Sequence, residues 1–240
     1  MKINQLLSLA IFLFSFSVSA AAQSRPLGIK PTGMPLHLGA KTDMFVTNRA
    51  IDVSGFDKID GSPFLSKETK KAFIKLTNGE KFSNVWIRFN IHNNELLLDN
   101  GKQFLALMNV DSAAYTEVDA SGSLQNIILK TGYPAIEKNT ESSIYQVLAS
   151  KNSIQLLKYY KTKIEKVKTM GMPDKDAFVT QGDYYLYDTV SKSLREIKLN
   201  KKSVLGALSK FSSASEMATD LNTNFRNEKD VVKFISSLNM

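Results

Sequence analysis

Val85-Trp86-Ile87-Arg88-Phe89-Asn90-Ile91-His92 is the stretch on which the fold turns. Val85, Ile87, Phe89 and Ile91 recur at every second position, and Trp86, Arg88, Asn90 and His92 fill the alternate ones. Successive side chains of an extended strand point to opposite faces, so this spacing predicts a strand with one face in a core. The other face carries an aromatic and polar set that packing alone does not require. Asn93-Asn94 follows as a turn signal.

The same rhythm runs outward in both directions. Short β-type runs at 72–76, 95–98, 103–108, 115–118, 126–130 and 144–149 are divided by Asn78-Gly79 and Asp99-Asn100-Gly101, among other turn residues. Regular short strands without long helical windows between them predict sequential antiparallel pairing. Residues 183–187 and 194–199 read as a further hairpin. The stretch 154–167 is readable in two ways. Leu157, Tyr160, Ile164 and Val167 have helical spacing, yet its density of Tyr, Thr and Ile, and a two-residue turn at Lys151-Asn152, favour a strand.

The end of the chain changes period. A short helix is expected at 203–210. Ser213-Ala214-Ser215-Glu216 has capping-box spacing for a second. Asn227 is the expected N-cap of a third, where Val231, Phe234, Ile235 and Leu238 form an i, i+3, i+4, i+7 stripe that must dock on the sheet. The fold class that follows is α+β: an antiparallel β-meander, free to curve or partly close, with two or three short C-terminal helices packed on it.

The N-terminus speaks to location. Lys2, the apolar run from Leu6 to Phe14 and the small residues Val18-Ser19-Ala20-Ala21-Ala22 have the layout of a secretory signal peptide over residues 1–22. The run is too short for a membrane anchor. Residues 23–47, with Pro26, Pro31, Pro35, Gly28, Gly33 and Gly39, read as an extended leader, and 48–240 as one β-rich domain. The chain of 240 residues contains no Cys. Disulfides, thiol chemistry and the lipid-accepting Cys of a bacterial lipoprotein are therefore absent, and the expected location is periplasmic or extracellular.

Most catalytic signatures are missing. There is no G-x-S-x-G elbow, no S-x-x-K pair, no G-x-G loop, and the two histidines, His37 and His92, are 55 residues apart. No cofactor or metal is called for. Asp174, Asp176 and Asp183 lack the spacing of a calcium loop. Asp57, Asp60, Glu80, Glu95 and Glu117 could supply a carboxylate pair that meets only in three dimensions. The net charge of +8 is concentrated late, with +1 over residues 23–150 and +6 over 151–240. Lys158, Lys161, Lys163, Lys166 and Lys168 read first as a solvated face and second as a polyanion or lipid-headgroup site; nucleic acid is not expected, because Lys outnumbers Arg and no motif accompanies it.

One constellation is singled out for binding. Trp86 offers a flat face, and Arg88 and Asn90 supply donors beside it. The competing account puts Trp86 under the C-terminal helices and pairs Arg88 with a carboxylate. The leading functional expectation is a non-catalytic exported envelope protein that binds a ligand or partner (protein, glycan or lipid) on the sheet. An exported hydrolase with a composite carboxylate/His site is the alternative.

Gly61-Ser62-Pro63-Phe64-Leu65, Trp86-Ile87-Arg88-Phe89-Asn90, Tyr184-Tyr185 and Lys201-Lys202-Ser203-Val204-Leu205 resemble a group of uncharacterised exported β-rich proteins of Bacteroidota-type bacteria, over about residues 55–240. The resemblance implies an envelope location. It brings no established activity and therefore no site residues.

Overall fold

The computed structural model describes residues 46–119, 121–168 and 174–238. The expected signal peptide and all but the last two residues of the expected leader lie outside them. Eleven strands form one antiparallel sheet: β1 Val46–Ile51, β2 Lys70–Leu76, β3 Lys81–Asn90, β4 Glu95–Asp99, β5 Phe104–Leu107, β6 Val110–Val118, β7 Leu124–Lys130, β8 Tyr145–Lys151, β9 Ile154–Val167, β10 Lys175–Asp188 and β11 Ser193–Ile197. Three helices follow, α1 Lys201–Ala207, α2 Ala214–Asp220 and α3 Glu228–Ser237. The sheet is open, and the α+β class read from the sequence is the class found.

Its order is β1-β5-β4-β3-β2-β6-β7-β8-β9-β10-β11, so the meander is not simply sequential. The strands β2 to β5 run one way, and β6 then returns to the free side of β2. In a flat sheet β5 and β6 would be four spacings, roughly 19 Å, apart. Only Met108 and Asn109 join them, and three Cα steps reach no more than about 11 Å. This part of the sheet must therefore curl. Two irregularities let it: an extra residue of β3 between its pairings Ala72↔Val85 and Ile74↔Phe82, with Asn84 at φ 62°, and an extra residue of β6 between Lys75↔Ser112 and Leu76↔Val110.

The concave side of the curl holds one core, built from Ile74, Leu76, Val85, Ile87, Phe89, Leu96, Leu98, Tyr115 and Leu129. Val85, Ile87 and Phe89 are all buried, as the alternation in β3 requires. A second core lies between β8–β11 and the helices. There Leu156, Leu186 and Ile197 meet Val204, Val231, Phe234, Ile235 and Leu238. The four residues of the α3 stripe are at most 1% exposed, and burial of each is worth about 1.5–3 kcal/mol. On the opposite face, Tyr133, Tyr145, Leu157 and Tyr185 form a third cluster.

One of the three helix starts is as the sequence reads it, that of α3 at Asn227. Asn227 Oδ1 accepts from Asp230 N at 3.3 Å, and Asn200 Oδ1 accepts from Ser203 N at 2.8 Å, which starts α1 two residues before the expected 203. Ser213 precedes α2 but its side chain makes no cap bond, so the serine half of the expected capping box does not form. The turn between β8 and β9 also moves by one residue. Lys151 pairs with Ile154, leaving Asn152 and Ser153 as the loop, with Asn152 at φ 53°.

The ambiguous stretch 154–167 is a strand along its whole length, because β10 pairs with it continuously from Ile154↔Asp188 to Val167↔Lys175. Beyond Lys158 this ribbon leaves β8 and reaches the N-terminal part of the molecule. Asp60 N donates to Asp176 O at 2.9 Å, Phe178 N donates to Asp60 O at 2.8 Å, and His92 Nδ1 bonds Thr162 O at 3.1 Å. Gly61 permits this approach. Its φ is +87°, and a Cβ there would stand 3.3 Å from Phe178 O.

Candidate functional site

Trp86, Arg88 and Asn90 share a face of β3, and each has its own surroundings. Arg88 stacks its guanidinium 3.8 Å from the centre of the Phe64 ring and donates from Nη2 to Lys67 O at 2.7 Å. Partial burial lowers its pKa, and Asp99 acts in the opposite sense. Asn90 is fully buried, and its Oδ1 accepts from His92 N and Asn93 N at 3.0 and 3.2 Å. That is turn chemistry, tying the end of β3 to the bend that follows. Trp86 is half-buried, with Lys71 Nζ 6.0 Å from its ring. The element over Arg88 is the segment around Phe64, together with Phe104.

A more open site lies elsewhere, where β7 and β8 part company. These strands pair only at Leu129↔Gln146 and Lys130↔Tyr145. Before residue 129 β7 continues alongside β6 alone, while β8 follows β9. The gap is a groove of about 440 Å³ lined by Gln125, Asn126 and Ile127 from β7, Gln146, Val147 and Leu148 from β8, and the first turns of α3. Leu65, Ile127, Val147, Leu148 and Val232 give it apolar surface, and Glu117, Gln146, Tyr160 and Glu228 give it polar groups. The size and the mixture suit a small ligand or a short segment of chain.

The groove walls are held by a polar network. Ser66 Oγ donates to Glu117 Oε2 at 2.7 Å, and Lys70 Nζ stands 3.5 Å from Glu117 Oε1. On the helix side Glu228 Oε2 accepts from Lys158 Nζ at 2.6 Å and from Tyr184 Oη at 2.5 Å. The Lys158 ammonium also faces the rings of Tyr160 and Tyr184 at 4.9 and 5.5 Å. Tyr160 Oη donates to Gln146 Oε1 at 2.5 Å. Burial, reinforced by Glu228, Tyr115, Tyr184 and Glu117, pushes the Tyr160 hydroxyl up. Burial likewise pushes Tyr115 up to about 12, opposed by its bond to Ser66 and aided by Glu117. The Tyr160 hydroxyl stays protonated and donates to Gln146.

The other candidates are scattered. Of the carboxylates considered, only Glu117 lines the groove. Asp60 takes part through its backbone, and Glu80 accepts from Asn78 at the β2–β3 turn. His92 is half-buried at its turn. Its ring lies edge-on to Phe56 and Phe178, at 6.2 and 5.5 Å, and Nδ1 donates to the Thr162 carbonyl. It fastens the ribbon rather than facing a carboxylate. Of the late lysines, Lys158 is tied to Glu228 and Lys161 to Asp183. Lys161 and Lys163 occupy one face of the ribbon and Lys166 the other, so they do not form one basic surface. Among the described residues no group of three His, Asp or Glu gathers in a way that could hold a metal ion.

No family model, curated protein or solved structure matches this chain. The site is therefore read from its own chemistry. Gln146, Tyr160 and Glu228 were not singled out by the sequence. One signal did exist: Lys158 falls in phase with the buried Ile154 and Leu156, and a charge at a core position demands a buried partner.

Proposed function

We propose that this chain is a non-catalytic binding protein that holds a ligand or partner on its antiparallel sheet, in the groove where β7 and β8 diverge. The observation that carries the reading is the divergence itself. Two strands that meet at only two residue pairs leave a slot with apolar surface, polar rim groups and a helix along one side. Glu117 and Glu228 each already have a fixed cation and a hydroxyl donor, an arrangement that shapes a wall rather than frees a base. The signal-type leader and the resemblance to exported proteins support an envelope setting, periplasmic or extracellular.

The test is native mass spectrometry of the mature chain purified from its own envelope fraction, beside Gln125→Trp. Gln125 is exposed and lines the groove, so an indole there fills the slot without opening the core. The wild-type chain is expected to carry a bound species that Gln125→Trp lacks. Bare protein in both cases, with no difference between them in crosslinked partners, would refute the reading.

A further inference from the structure

The free edge of β7 has a direction and a register. Asp119 N donates to Ser123 O at 2.9 Å, and the pairing continues through Glu117↔Gln125, Tyr115↔Ile127 and Ala113↔Leu129. In an antiparallel ladder bonded pairs alternate with non-bonded ones, so Gln125, Ile127 and Leu129 spend their backbone groups on β6. Leu124 and Asn126 must then point both N–H and C=O groups, and Ile128 its N–H, towards the side where β8 moves away. From Leu124 to Ile128 that is a run of about 14 Å at strand rise, open on the groove. Open strand edges are templates for another strand.

We infer that the groove takes an extended polypeptide segment of a partner, added as a strand to the edge of β7 at Leu124, Asn126 and Ile128. This rests on the binding reading above and names its ligand class. The space fits: a strand residue in a packed sheet occupies roughly 160 Å³, from its rise, strand spacing and sheet separation, so about 440 Å³ houses about three residues. The helix α3 lines the slot through Glu228, Lys229 and Val232, which leaves room for a lone strand rather than the edge of a second sheet.

The two faces of such a strand meet different chemistry. On the outer face Leu124 and Ile128 are 75% and 39% exposed, and they would flank apolar side chains. On the groove face Glu117 is paired with Lys70, Glu228 with Lys158 and Lys229 with Asp119, and the amides Gln125, Asn126 and Gln146 also line it. With the charges paired off, that face favours neutral hydrogen-bonding side chains. The partner segment is therefore an extended stretch alternating apolar with neutral polar residues.

A panel of fluorescein-labelled, end-capped hexapeptides alternating Ser, Thr, Asn or Gln with Val, Ile or Leu tests this on the full mature chain by anisotropy. Two N-methylated forms of the tightest peptide are included, one for each alternate set of amides. At least one methylated form is expected to bind about tenfold or more weakly, because main-chain bonds are lost while side chains remain. Asn126→Pro should do the same. Its N–H faces the open side, so proline removes a donor for the peptide without breaking the ladder to β6. The amide resonances of Leu124, Asn126 and Ile128 should shift on binding. Both methylated forms binding as tightly as the unmethylated peptide overturns main-chain strand addition, as does failure of every peptide to bind at about 1 mM. A ligand lost in Gln125→Trp under those outcomes would still leave the groove a binding site for another class of molecule.

Discussion

The Lys158–Glu228 clamp should hold α3 against the sheet, and its contribution can be isolated. The ammonium and carboxylate are 2.6 Å apart, with side chains 17% and 33% exposed. Fully buried pairs cost about 3–5 kcal/mol when one partner is removed, and exposed pairs about 0.2–1 kcal/mol. This pair lies between, so Glu228→Gln should cost about 2 kcal/mol. It leaves an ammonium between two tyrosine rings and weakens the bond from Tyr184. Lys158→Met should cost less, about 1 kcal/mol, because Glu228 keeps Tyr184 and the start of a helix. The double variant should show a coupling of about 1–1.5 kcal/mol in urea unfolding. A coupling below about 0.3 kcal/mol would refute the clamp. Gly182 gives an independent check. A Cβ there would stand 2.5 Å from Lys158 Cε, so Gly182→Ala must push the lysine away from Glu228. In a Lys158→Ala background the obstacle is gone, and the same substitution should become neutral or stabilising by about 0.5–1 kcal/mol. Equal cost in both backgrounds would refute the packing argument.

Phe234→Ala, at a fully buried position of α3 against Phe225, should cost about 3–5 kcal/mol in denaturant unfolding, and a cost under about 1 kcal/mol would mean that the helix does not anchor the second core. Tyr115, Tyr133, Tyr145, Tyr159, Tyr160, Tyr184 and Tyr185 all have hydroxyl pKa values raised chiefly by burial. A raised folded-state value means stability is fully present below the unfolded tyrosine pKa, about 10, and declines as pH climbs towards the folded values. Phenolate absorbance should therefore lag in the native chain and rise together with unfolding, whereas ionisation of all tyrosines near pH 10 with the fold intact would contradict this. His92→Ala removes the bond to Thr162 O and two ring contacts, so hydrogen exchange at the amides of Asp60 and Phe178 should quicken by about tenfold. Unchanged exchange there would mean that His92 does not fasten the ribbon.

What was legible in the sequence followed from local periodicity. The alternation in Val85, Ile87 and Phe89 and the stripe Val231, Phe234, Ile235 and Leu238 both describe which face is buried, and a chain reports that directly. The strand at 154–167 was ambiguous because Leu157, Tyr160, Ile164 and Val167 satisfy helical spacing; pairing with β10, which is a tertiary fact, decides it. The start of β10 was missed for the same reason, since 175–182 alternates poorly and is held by its partner strand and by Asp60. The site was the least legible part. Trp86, Arg88 and Asn90 do share a face, but Phe64 and Phe104 reach it from either side in sequence. The groove exists because β7 and β8 separate, and no residue type or spacing in either strand announces a divergence.

The two-pair junction between β7 and β8 would be expected to let the molecule melt in halves, with the curled half and the helix-backed half coming apart independently. The β9–β10 ribbon prevents that. It contributes Leu156 and Leu186 to the second core, sends Tyr160 against the first, and ends on Asp60. Neither half can lose its order without stripping contacts from the other, so the chain should melt in a single cooperative step despite having separate interiors.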